Sequence, residues 1–544
     1  MKLLITGLFI LLLSGFAALL PGKGRSTAAF SAITGTLACL VLSSGICIDS
    51  IINGRSFEFS FPLTLPFANF AIGIDPLSAF FLLPLLFLSS LCAIYGSEYM
   101  RNHDSSVSWF FFCLLVTGMM LVVIARNGVL FLIGWELMAL SSFFLVTYEH
   151  EKKEVRKAGW IYLTASHIGV AFIFAIFAIL GNGNSTLDFA NFETLKAGST
   201  TASVIFIFAI MGFGSKAGFI PIHIWLPEAH PVAPSHVSSL MSGIMIKLGI
   251  YGMLRTLTFL GAPPLWWGIT FIVIGMSSGI LGIAFALASH NIKRLLAYSS
   301  IENIGIISLG LGMGLAGISC NEPFIAILGF AGAMLHILNH CIFKGLLFLG
   351  AGTVLHETGT GEMDKLGGLM KKMPFTGVFF MTGSASISGL PPFNGFIGEF
   401  LIFLAAFYGI TSESVPISFC SIAVIASLAL IGGLAVACFS KAFGIIFLGE
   451  PRSGETPHAE DPGIPMLLPM LILSILCLAI GFSGPTISVW LAGTVSQISG
   501  IEISACKIGL KIASLPLLSI TVLSSLLIIL GSFFYSLRKA LPQS

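Results

Sequence analysis

The chain has 544 residues, 56% of them apolar and only 9% charged, with a mean hydropathy of +1.00. Soluble domains carry about a quarter charged residues, so a soluble globular protein is excluded, and so is disorder. The 26 basic and 24 acidic residues leave a net charge of +2, without the basic surplus that nucleic-acid binding needs. The composition is that of an all-α polytopic membrane protein, and the length allows about 14–16 spans of about 20 residues each.

In chain order, apolar stretches fall at 3–20, 28–48, 70–95, 109–125, 128–147, 158–180, 203–222, 235–260, 265–288, 295–316, 323–355, 374–409, 418–447, 465–483 and 515–535. The first is too long for the apolar core of a signal peptide, and Pro21-Gly22-Lys23-Gly24-Arg25 lacks a small-x-small cleavage site, so it is expected to be a retained helix. Of the 26 basic residues, 15 fall on one alternating set of loops, 7 on the other and 4 within apolar runs. The excess favours an N-terminus outside and a C-terminus inside, with Lys293 and Arg294 in an inside loop. Ten cysteines are scattered without CxxC spacing, so no iron–sulfur or zinc centre is expected in this chain.

The four basic residues within apolar runs are Lys216, Lys247, Lys344 and Lys441, and Glu136, Glu302 and Glu399 lie in similar surroundings. Ionisable groups at membrane depth are costly and face bundle interiors, so seven of them on seven segments imply a hydrophilic axis. Two apolar segments are interrupted by glycine and proline, near 212–221 and 386–399, each beside an ionisable residue. Paired interruptions in corresponding halves point to an internally repeated transporter, and their odd spacing of five spans makes the repeat inverted.

Proton conduction needs groups that change protonation at modest cost. A buried lysine holds its proton beside a carboxylate and releases it when the carboxylate withdraws, so Glu136 and Lys216 would form a switch if they meet. Lys247 is the next carrier. His336, His340 and Lys344 recur at i, i+4 and i+8 and share one helix face. The HxxxH spacing also suits a metal, but no glutamate stands between the histidines, and a proton relay is the better reading. His223 and His230 lie near an inside loop, where they either line a cytoplasmic entrance or simply sit at the interface. No phosphate-binding loop, dinucleotide fingerprint or nucleophile–base pair stands in a credible context. Strings such as Gly310-Leu311-Gly312 mean close helix packing.

The motifs Gly134-Trp135-Glu136, Ser215-Lys216-Ala217-Gly218 and His223-Ile224-Trp225-Leu226-Pro227-Glu228-Ala229-His230 resemble those of the antiporter-like subunits of respiratory complex I. So do Pro234-Ser235-His236-Val237-Ser238, Asn291 through Ser300, and His336-Ile337-Leu338-Asn339-His340. The resemblance spans about residues 70–450 and extends to Mrp-type sodium/proton antiporter subunits and group 4 hydrogenases. Ser300-Ile301-Glu302-Asn303-Ile304 looks most like the hydrogenase-4 component B and formate hydrogenlyase subunit 3 group.

The resemblance implies two inverted five-helix repeats, at about 109–260 and 265–447, between N-terminal helices in 1–108 and C-terminal helices in 448–544. It implies a proton pathway through Glu136, Lys216, Lys247, His336, His340, Lys344 and Glu399, the last a lysine in some relatives. His223, His230, Glu302 and Lys441 are entrance or accessory candidates. The region beyond about 484 is too short for the long lateral helix of the most distal complex I subunit. The expected function is proton translocation within a redox-driven complex of the bacterial or archaeal cytoplasmic membrane. Nickel–iron, iron–sulfur or flavin centres would sit on partner subunits in a peripheral arm, with none in this chain. The alternative is an Mrp-type sodium/proton antiporter subunit.

Overall fold

The computed structural model describes residues 1–20, 25–62, 67, 69–102, 106–196, 198–452 and 459–540. Pro21–Gly24, and with them Lys23, lie outside the described residues. Helices α1 (Lys2–Ala18) and α2 (Arg25–Asn53) pack on each other and, like α3 (Pro76–Tyr99), on the rest of the N-terminal layer. A two-stranded antiparallel hairpin, β1 (Phe57–Pro62) and β2 (Asn69–Ile74), precedes α3 and adds to the all-helical expectation. Asp75 caps α3 by accepting from Ser78 N at 2.8 Å, with Pro76 opening the first turn.

The next helices are α4 (Ser106–Ile124), α5 (Gly128–Val146), α6 (Lys153–Leu180), α7 (Thr200–Ala217), α8 (Trp225–Val232), α9 (Ser235–Leu240) and α10 (Lys247–Leu257). A π-helical turn, Met241–Met245, joins α9 to α10 within one continuous span. Then come α11 (Leu265–Ala288), α12 (Ile292–Ser319), α13 (Pro323–Thr358), α14 (Pro374–Ile387), α15 (Asn394–Ile410) and α16 (Val415–Phe447). The chain closes with α17 (Ile464–Trp490), α18 (Ala492–Ser499) and α19 (Ile503–Ala540).

Among the described residues thirteen helices are long and apolar enough to cross a membrane, and α1 and α15 are shorter apolar helices. Both expected interruptions are real breaks. The first lies between α7 and α8, and the second divides the single stretch 374–409 into α14 and α15. Residues 484–514 are the end of α17, all of α18 and the head of α19.

The centre of the bundle is α12 and α13, which are buried along almost their whole length. Their glycines permit it. Gly310 faces Gly329 O, and Gly312 faces Gly268 O, at distances that leave no room for a side chain. Lys293 and Arg294 are not in a loop. Asn291 caps α12 from their own backbone amides, which draws both into its first turn. Lys293 is buried there, its ammonium donating to Ala233 O and Pro231 O at the end of α8.

Candidate functional site

At the first break α7 ends on Gly218, whose φ of +88° is open to glycine at little cost. This places Lys216 in the last turn of α7, buried, where the helix dipole favours a cation. Its ammonium donates to Tyr162 OH at 2.7 Å and lies 4.8 Å from the Tyr162 ring and 5.7 Å from the Trp225 ring. Trp225 Nε1 donates to Ser215 O at 2.8 Å, tying α8 to α7 across the break. Tyr162 on α6 also reaches α5, through Ser142 Oγ and Ala139 O.

Glu136 and Lys216 are not within ion-pair distance of each other. Tyr162 occupies the hydrogen-bonding position at the amine, and Glu136 turns to the other face of α6. There its Oε1 lies 3.6 Å from His167 Nδ1, with the two side chains 33% and 50% exposed on the flank of the bundle.

Lys247 opens α10 one residue beyond the π turn and is wholly buried, its ammonium donating to Ser242 O. A side-chain carbon on Gly249 would lie 2.5 Å from Phe213 O, so this glycine lets α10 close on the end of α7. Ser242 Oγ meets Ser300 Oγ at 2.7 Å, leading to α12. On α13, His336, His340 and Lys344 are all buried on the expected common face. Lys344 donates to Leu296 O at 2.9 Å and Ser299 Oγ at 2.5 Å.

Glu302 lies at the heart of this group rather than at an entrance. Its Oε2 accepts from Asn303 Nδ2 at 2.5 Å, and Asn303 Oδ1 is 3.0 Å from His336 Nε2, which therefore carries the donated proton. Glu302 is within electrostatic reach of both Lys344 and Glu399, and His340 of both Lys247 and Lys344. The second break brings Glu399 into position. A side-chain carbon on Gly398 would lie 2.8 Å from His336 N, so α15 can touch α13 at His336, while the half-buried Glu399 faces Gly389, whose φ is +64°.

His230 belongs to the interior. It is buried and stacked on Phe348 with ring centroids 5.0 Å apart, within electrostatic reach of Lys247, Lys293 and Lys344. His223 is half-buried at the first break. Lys441 ties α16 to α11 by donating to Leu287 O at 2.8 Å.

No carboxylate lies within ion-pair distance of Lys216, Lys247 or Lys344 among the described residues. Glu302 Oε1, His336 Nδ1 and both ring nitrogens of His230 and His340 lack a protein hydrogen-bond partner. The described residues contain no group of three or more His, Cys, Asp or Glu able to hold a metal ion, and the ten cysteines are free.

Sequence reasoning passed over Tyr162, His167 and a buried cluster at the head of α3. In that cluster Asp75 accepts two hydrogen bonds from Arg255, at 2.7 and 2.9 Å, and pairs with Arg126 at 3.0 Å. Both arginines also donate to Ser78 Oγ, each at 3.0 Å. Burial pushes the Asp75 carboxyl up, but Arg255 and Arg126 outweigh it and hold the group well below the usual carboxylate range. The Asp75-Pro76 pair at a helix start was the available signal.

A membrane-embedded helical bundle with two broken helices and an interior line of ionisable side chains defines the class: an antiporter-like membrane subunit. The family described as NADH:quinone oxidoreductase/Mrp antiporter, transmembrane, matches residues 125–425, and the N-terminal region of complex I chain 5 matches residues 67–111. The chain belongs to this family, among the membrane antiporter-like subunits of hydrogenase, complex I or Mrp type.

It is 38% identical over 506 residues to hydrogenase-4 component B of Escherichia coli, an alignment covering 92% of this chain and 74% of that protein. Formate hydrogenlyase subunit 3 of Escherichia coli is 33% identical over 464 residues, covering 85% and 75%. Among solved structures, an archaeal membrane-bound sulfane sulfur reductase complex contains a chain 25% identical, with a TM-score of 0.75, covering 89% of this chain and 77% of that one. These relatives are named as components of multi-subunit assemblies.

Proposed function

We propose that this chain is the proton-translocating membrane subunit of a redox-driven complex of hydrogenase or NADH:quinone oxidoreductase type. The observation that carries the reading is a run of ionisable groups, the buried Lys247, His340, Lys344 and Glu302 and the half-buried Glu399, each within electrostatic reach of the next and with neither lysine in an ion pair among the described residues. An unpaired buried lysine is costly in its charged form, so its proton is mobile and responds to charge brought near it. Histidine nitrogens free of protein partners can take and give a proton without first breaking a protein hydrogen bond.

In this reading Lys216 is loaded while Glu136 is beside it and unloads towards Lys247 when Glu136 withdraws. The proton then passes the His336, His340 and Lys344 face to Glu302 and Glu399. The two repeats at about 109–260 and 265–447 each supply one break, and the N-terminus lies outside with the C-terminus inside. Redox centres of nickel–iron, iron–sulfur or flavin type reside in the peripheral arm of partner subunits, and their turnover supplies the charge movement.

The test uses the complex purified with its partners and reconstituted in vesicles, measuring protons moved per redox turnover. Lys216→Met and Lys344→Met each lower that ratio at least tenfold while electron transfer continues. Undiminished coupled transport in both variants overturns the proposal. Sodium-dependent exchange by the vesicles without electron donors would instead identify a sodium/proton antiporter subunit.

A further inference from the structure

Helix α6 stands against both members of the separated pair, Glu136 of α5 and Lys216 of α7. One face presents Tyr162 to Lys216, the other presents His167 to Glu136. We propose that His167 is the alternate partner of Glu136, a positioning residue that receives the carboxylate when it leaves Lys216. This rests on the reading of the axis as a proton pathway.

Three observations support it. The separation of 3.6 Å between Glu136 Oε1 and His167 Nδ1 is within ion-pair range but beyond a hydrogen bond, which suits a contact that must be released. Lys216 and the Glu136 helix are linked through Tyr162. Lys216 touches Tyr162, and Tyr162 touches Ala139 O, three residues from Glu136 on the same helix. Residues three apart on a helix lie about 5–6 Å from one another, so Glu136 stands within one helical turn of the Tyr162 contact on α5. Finally, the pair stands among exposed apolar side chains, Ile133, Leu140, Ile168 and Phe174, where an ionisable group without a partner would be costly. A carboxylate leaving Lys216 therefore needs a second partner, and His167 is the group in place.

His167→Gln keeps the size and hydrogen-bonding capacity but cannot take a proton. In the reconstituted complex it lowers protons moved per redox turnover at least threefold, and His167→Lys recovers at least half of the loss. The double variant Glu136→Gln with His167→Gln is no worse than Glu136→Gln alone, because both remove one interaction. Wild-type coupling in His167→Gln, alongside lost coupling in Lys216→Met, overturns the inference and leaves the function standing. Equal losses in the Gln and Lys variants overturn it too, since they mean a packing role. Full coupling in both Lys216→Met and His167→Gln removes the pathway reading and this inference with it.

Discussion

Glu302 is fully buried, with one carboxylate oxygen on Asn303 and the other without a protein partner. It lies in electrostatic reach of both Lys344 and Glu399, so on the proposed pathway it is the group between them. Glu302→Gln keeps the shape and the Asn303 contact but removes the ionisation. Coupled transport should fall at least tenfold while the amount of assembled complex stays unchanged, as checked by proton-to-turnover ratio and by size-exclusion profile. Gly389 makes a related point about space. At φ +64° its missing side chain would lie 2.8 Å from Glu399 Oε2. Gly389→Ala strains the turn by about 1–2 kcal/mol and displaces the carboxylate, so transport and thermal midpoint fall together.

The broken helices are element-scale devices, and each depends on a neighbour shaped to receive it. The turn between α14 and α15 pushes Pro392 O against α17, where a side-chain carbon on Gly481 would stand only 1.7 Å away. Gly481→Ala therefore forces the turn outward, at about 1–3 kcal/mol for overpacking. The expected outcome is a lower thermal midpoint in detergent and, on the proposed pathway, impaired coupled transport, although position 481 carries no polar group. Gly395→Ala, whose added carbon would stand 1.8 Å from Ser386 O, should act in the same direction by wedging the two half-helices apart. The glycine–proline runs at 212–221 and 386–399 made both breaks legible, because the loss of helical hydrogen bonds is a local property. That α17 would receive the second break was not legible, since nothing local marks Gly481 among the other glycines of apolar helices.

On the scale of the whole molecule, Asp75, Arg126 and Arg255 tie the head of α3, the turn before α5 and the end of α10 into one buried cluster. Asp75→Asn leaves the Arg255 guanidinium buried without its anion and Arg126 with only the exposed Glu58 at 4.0 Å, a loss of about 3–5 kcal/mol. Denaturation in detergent at neutral pH measures it. The pH dependence has a definite sign. The native carboxyl is held well below its unfolded value of about 3.9, so its contribution is complete above about pH 5. It is lost as the pH falls through the lower native value. The wild-type advantage over Asp75→Asn should thus be flat from neutrality to about pH 5 and shrink only in stronger acid.

The sequence by itself determined the membrane class, the fifteen apolar segments, both breaks and the common face of His336, His340 and Lys344. Each of these follows from periodicity, length or local backbone chemistry, which a chain carries with it. Only the tertiary structure decided which ionisable groups meet. Helix rotation and glycine-permitted approach brought Glu302 between Lys344 and Glu399, and set Tyr162 beside Lys216 with Glu136 against His167. Apolar helices with weak amphipathic patterning do not state which side faces which neighbour. Contacts between residues far apart in the chain are fixed by how the helices pack, not by any one segment.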